Sequence, residues 1–246
     1  MKVFFAKPGE YQACGLVTVG HLVIFVLTAI GVIVAVKCTK IRCKEDVTTI
    51  IRRSTIIIWI LEILKTIYSI SIGDGTDLNK IAPLYYCSLL LYSGLLSSFC
   101  KGKLNEIGDV FLATGGIVGG IVFWVFPTTS LPYYPVFHFV SVHSYFYHGM
   151  MVYLGIIINK YNYIELKLSH IKQYAILIFT ISVIAYIINL RFGSNLMFIS
   201  EDFPGTPISI VYNHTGKLFT PLMIAIQMTL PFLLIYGITK LKKDVT

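Results

Sequence analysis

Charge is what this sequence has least of. Only 13% of its 246 residues are Asp, Glu, Lys or Arg, about half the share of an ordinary soluble domain. Together with 56% hydrophobic residues and a mean hydropathy of +0.76, that scarcity excludes a water-soluble globular chain. Acidic residues are scarcer still, 12 against 20 Lys and Arg, leaving a net charge of +8. In a polytopic membrane protein such an excess is an orientation signal and a lipid contact, so no nucleic-acid partner is expected.

Cysteine is sparse as well, and its five copies make no disulfide framework. Cys38 and Cys43 fall in a predicted cytoplasmic loop, where thiols stay reduced. Their C-x4-C spacing has no second ligand pair to complete a metal site, and juxtamembrane palmitoylation is the other reading. Neither an HExxH zinc motif nor a glycine-rich phosphate loop occurs. Internal repeats, low-complexity tracts and a soluble domain are also lacking. The reading therefore needs no cofactor and no metal.

What the chain does have is apolar runs. Seven of about twenty residues, the length a bilayer core demands, are predicted at 15–36, 54–72, 82–99, 107–126, 134–158, 171–190 and 218–239. The expected fold class is all-α: a multi-pass bundle of seven transmembrane helices forming a single domain over residues 1–246. Alternate connections are basic. One side carries Lys37, Lys40, Arg42, Lys44, Arg52, Arg53, Lys101, Lys103, Lys160, Lys167, Lys172, Lys240, Lys242 and Lys243; the other has only Lys2, Lys7, Lys80, Arg191 and Lys217. Fourteen against five predicts an outside N-terminus and a cytoplasmic C-terminus in the cell membrane. The first run is too long for a signal peptide, and its strongest positive flank follows it, so it is expected to be a retained span.

Several runs carry groups that are costly to bury in lipid. The stretch 133–155 is apolar enough to cross, yet holds His138, His143, His148, Ser141 and Ser144. At ~100° per residue, His138, Ser141, Ser144, Tyr145 and His148 fall within an arc of roughly 120°, while His143 points away. Either these groups are a functional site or they are interhelical glue. Glu62 and Lys65, three residues apart on one helix face, read best as a structural pair. In the third run, opened by Pro83, Cys87, Gly94 and Ser98 form a predicted small-residue stripe that lets a neighbouring helix approach. Gly115, Gly116, Gly119 and Gly120 predict the same for the fourth. Asn189, Arg191 and Asn195 gather around Gly193 at the outer end of the sixth. The Pro- and Gly-punctuated loop after them is expected to act as a lid or re-entrant segment, and Pro221 and Pro231 to kink the last span.

A thiolate attacks acyl groups well, and an imidazole can take its proton and return it. For a site within the bilayer the natural substrate is a lipid. At these residues a resemblance enters. PLYYCSLLLY resembles the "LPLHLCS" segment of the YwaF-like family of bacterial integral membrane proteins, and VFHFVSVHSYFYHG its "fHffqfflsHG" segment. NLRFGSNLMF, PGTPIS and GKLFTP are similar to its "N…gaNYmFL…P…s…Gp.P.Y" ending. The sequence departs from that pattern at Tyr86, often His there, and at Leu196, often Tyr. The family is related to a eukaryotic branch regarded as phospholipid acyltransferases that use a cysteine and a histidine. The resemblance implies Cys87 as acyl acceptor, His148 as base and Asn195 as a polar support. His138, His143, Ser144, Asn189, Arg191 and Asn195 are the candidate substrate-binding residues, with a membrane phospholipid or other acyl lipid as partner. The alternative is a transporter or substrate-binding module around His21, Glu62, His138, Asn189 and Arg191. Against it, no inverted repeat is visible.

Overall fold

The computed structural model describes residues 2–73 and 75–245, and the fold is helical, with no strand among the described residues. In order come α1 (Val19–Cys38), α2 (Lys44–Ser71), α3 (Leu78–Ile81), α4 (Leu89–Phe99), α5 (Lys103–Ala113), α6 (Gly115–Val125), α7 (Phe139–Lys160), α8 (Ile171–Phe192), α9 (Pro207–Thr215) and α10 (Phe219–Val245). Among the described residues four stretches are long and apolar enough to cross a membrane: Val19–Cys38, Lys103–Val125, Leu168–Phe192 and Pro207–Lys242. Helix α1 shows the environment most plainly. Val19 is 79% exposed, Leu22 62% and Leu27 58%, a surface tolerable against lipid and ruinous against water.

The helix ends explain most departures from the predicted spans. Helix α1 starts where the Thr18 hydroxyl accepts the His21 N–H. Helix α2 starts ten residues before the predicted span, because the Asp46 carboxylate accepts the free N–H groups of Arg42 (2.8 Å) and Cys43 (3.2 Å). The fourth run is divided at Thr114, whose hydroxyl bonds the Val110 carbonyl at 2.6 Å. Helix α7 begins only at Phe139, so His138 caps it rather than riding on its face. Of the two prolines expected to kink the last span, Pro221 falls in the first turn of α10, where its missing N–H costs nothing. Only Pro231 lies in the helix interior.

Cross-connections sort the loops into two ends. At the basic end, Thr39 bonds Tyr153 and Tyr161, Thr48 bonds Tyr163, Arg52 bonds the Ser98 carbonyl, and Glu106 meets His170 and Gln173. At the other end the N-terminal segment is tied to α2 and α7 through Ala6, Tyr68 and His138. Small residues set the helix spacing as expected. A Cβ on Gly120 would stand 2.8 Å from the His148 carbonyl oxygen, so α6 and α7 touch backbone to backbone there. At Gly94 of α4 a Cβ would run into the Thr55 side chain of α2.

Candidate active site at the break in the third apolar run

The third run is not one helix. Residues 82–88 form a non-helical stretch, and α4 begins only at Leu89, giving 11 residues or about 16 Å of helix. Pro83 lacks a donor and disfavours helix at the residue before it. Irregular backbone at membrane depth survives only where protein surrounds it, and here it does. Tyr92 Oη bonds the Pro83 carbonyl at 3.0 Å, and Tyr86 Oη meets Tyr174 Oη. The Met197 N–H reaches the Leu84 carbonyl at 3.1 Å, and Tyr85 Oη bonds the Asn79 carbonyl at 2.9 Å. Cys87 thus sits at the mouth of α4 rather than on the small-residue stripe predicted for it.

At that mouth Cys87 is half-buried, immediately before the first turn of α4 and near Glu62 and Lys65. The Cys87 carbonyl receives the Tyr147 hydroxyl at 3.2 Å, which ties the segment to α7. Glu62 and Lys65 are paired at 2.5 Å, the structural pair read from their spacing. His143 Nε2 lies 3.7 Å from the other Glu62 oxygen, too far for a hydrogen bond, and its ring is 5.9 Å from that of Tyr147. The structure therefore gathers Glu62, Lys65, His143, Tyr147 and Cys87 on one side of α7.

His148 occupies the next sector of α7, about 100° beyond Tyr147. Its ring stacks on Phe123 of α6 at 3.6 Å, and its Nδ1 lies 2.7 Å from the Ser144 carbonyl oxygen. Nδ1 must therefore carry the proton, leaving Nε2 as a bare acceptor. The Ser144 main chain, rather than its hydroxyl, orients the His148 ring. The predicted arc holds for Ser141, Tyr145 and His148. Ser141 Oγ, Tyr145 Oη and His148 Nε2 are all buried with no hydrogen-bond partner, as are both ring nitrogens of His143. Buried polar atoms without partners are rare and call for an explanation.

The remaining candidates stand elsewhere. His138 uses Nδ1 to accept the Val140 N–H and Nε2 to reach the Ala6 carbonyl at 3.0 Å, so its ring is structural. It leaves the arc because it is not helical. Asn189 bonds Ser194, Ser200 and both main-chain groups of Leu196; Asn195 accepts from Ser200 and Glu201. Both build the turn that leans on residues 79–85, while Arg191 is exposed at the end of α8. That turn holds two left-handed non-glycine residues, Met197 (φ 58°) and Phe198 (φ 53°), a costly conformation that its surroundings must enforce. His21 is likewise structural, with Nε2 2.9 Å from the Trp124 carbonyl. Among the described residues no group of His, Cys, Asp and Glu is arranged to hold a metal ion.

A profile of the TMEM164 family matches residues 16–240, from just before α1 into α10. The chain belongs to the TMEM164 family. Comparison with curated proteins and with solved structures gave no match. Membership marks a transmembrane protein, in agreement with the lipid-type surface of α1. In this TMEM164-family chain the sequence reading passed over Tyr147, the side chain that reaches the Cys87 backbone, and Asn79, which takes the Asn195 N–H at 2.8 Å. Tyr147 was within reach of sequence reasoning, standing one turn from His143. Asn79 left no such signal, because its partner is more than a hundred residues away.

Proposed function

We propose that this protein crosses the cell membrane seven times with its N-terminus outside, and acts as a lipid acyltransferase or acyl hydrolase. Cys87 is the nucleophile and His148 the base. The observation that carries this reading is the helix break. It sets a half-buried thiol on an irregular stretch inside a transmembrane protein, and Tyr147 ties that thiol's backbone to the helix bearing a buried imidazole with a bare Nε2.

The chemistry follows from those atoms. His148 Nε2 takes the thiol proton, and sulfur attacks the ester carbonyl carbon of an acyl lipid. The oxyanion that forms draws on main-chain N–H groups of the 82–88 stretch that precedes α4. When it collapses, the lipid alkoxide leaves with the proton from His148, and the acyl group remains on Cys87 as a thioester. A second hydroxyl, from a lipid or from water, gives its proton to Nε2 and attacks the thioester, and the thiolate departs. His143 and Ser144 line the substrate's side of α7, and Asn189, Asn195 and Arg191 frame the outer turn. The transporter alternative loses support, since His21, His138 and Asn189 are each bonded to main chain instead of lining one cavity.

The test is acyl capture. Intact protein in membranes containing a tail-labelled phospholipid should acquire label that hydroxylamine releases, and Cys87→Ala should acquire none. Label that survives in Cys87→Ala, or a lipid composition in cells expressing that variant that matches cells expressing the wild type, overturns the acyl-enzyme reading.

A further inference from the structure

Helices α1 and α2 both lie on α7, yet they do not close on each other. Between them runs a groove of about 700 Å³, lined from Ile24 to Ala35 on α1 and reaching Arg53 and Ile57 on α2 and Gly149 on α7. The volume is that of a small-molecule site. Eleven residues of α1 separate its ends, about 16 Å of helix, which is close to half of a ~30 Å hydrocarbon core. The groove is therefore one leaflet long. Exposed Leu27 and Ile57 stand at its rim, so it opens sideways, toward lipid.

Its chemistry is asymmetric. Among the described residues lining it, only Arg53 is charged, and Arg53 is exposed at the end where Ala35 and Tyr153 close the groove. That end also carries Lys37, Lys40, Arg42, Lys44 and Arg52, a cluster that concentrates anionic headgroups. Apolar walls one acyl chain long, with a cation where the headgroup falls, match a phospholipid. We propose that the groove holds one acyl chain of an anionic phospholipid, its phosphate on Arg53. The site is separate from the acyl-transfer centre: Cys87, Glu62, His143 and His148 do not line it, and the proposal stands without that reading.

Gly31 makes the test clean. A Cβ there meets nothing within 4 Å, so Gly31→Phe starts from open space and sets a ring at the wall of the groove. Exposed Ala35→Leu is a second filler should Gly31→Phe fail to fold. The full chain is placed in nanodiscs of phosphatidylglycerol or phosphatidylcholine, each doped with a lipid of the same headgroup bearing a diazirine in its tail. Crosslinks are mapped by mass spectrometry. Labelling should concentrate on the facing residues of α1, α2 and α7 and drop when a filler is present. Arg53→Gln should lower phosphatidylglycerol labelling about fivefold, the worth of one cation near an anionic surface, and phosphatidylcholine by less, because its choline offsets the phosphate charge. Label spread evenly over α8 and α10, or unaffected by either filler, overturns the site. A lipid-free dimer in native mass spectrometry assigns the groove to a second copy instead. Equal loss of both headgroups in Arg53→Gln overturns the preference for an anionic lipid, since both carry the phosphate, and no loss of either overturns the phosphate contact.

Discussion

Asn189→Ala should loosen the Cys87 segment without touching it. Asn189 is 4% exposed and makes four hydrogen bonds across the turn that follows α8. Two of them take the N–H and the C=O of Leu196, a residue that is fully buried. Alanine leaves both main-chain groups without partners, at about 1–3 kcal/mol each, so roughly 2–6 kcal/mol in all. At ~1.4 kcal/mol per decade, the turn should open roughly thirty- to twenty-thousand-fold more often. The strained Met197 and Phe198 depend on that turn, and the Met197 N–H is the group that holds the Leu84 carbonyl. Opening should therefore propagate to residues 82–88. Amide hydrogen exchange in nanodiscs reads both segments at once, with Asn213→Ala, exposed on α9, as the control. If the Leu196 and Met197 amides of Asn189→Ala exchange at the wild-type rate, the chain of reasoning from this turn to Cys87 is wrong. If only the turn loosens and 82–88 stays protected, the coupling to the thiol fails while the local account survives.

Other outcomes follow from the same atoms. Reporter fusions after Lys44, Lys103 and Lys160 should all read cytoplasm, and one reading the outside breaks the seven-span alternation. His148→Ala should reduce Cys87 acylation by about 10²–10⁴-fold, the usual worth of a general base, and His143→Ala by far less. The reverse order would assign the base to the histidine beside Glu62. Gly120→Val drives a side chain into Val152 and the His148 carbonyl, so it should cost about 1–3 kcal/mol and lower the thermal midpoint. The Arg42 and Cys43 N–H groups hold the Asp46 carboxyl below its usual range. Its capping contribution is therefore present at neutral pH and lost as pH falls through that lowered value. Asp46→Asn should flatten this acid dependence of stability.

Hydropathy and charge sufficed for the class of molecule, because a helix in lipid must satisfy its own backbone and its composition follows. The Glu62–Lys65 pair and the close approach at Gly120 were legible for a related reason: both are local, set by residues one turn apart or by the lack of a side chain. Helical periodicity also placed His148 among Ser141, Ser144 and Tyr145. It failed at His138 and Cys87, where the helix had not begun. Pro83 hinted at that boundary, but apolar residues read alike whether they lie in a helix or in a buried turn. What the tertiary structure alone decided is what each polar group does. His138, Asn189 and Asn195 looked like ligands and are fasteners, because their partners, Ala6 and the main chain of 194–201, came close only on folding. The groove between α1 and α2 has the same origin. Neither helix's sequence states that both would rest on α7 and leave the space between them open, since a gap is a property of three helices packed together and of none of them alone.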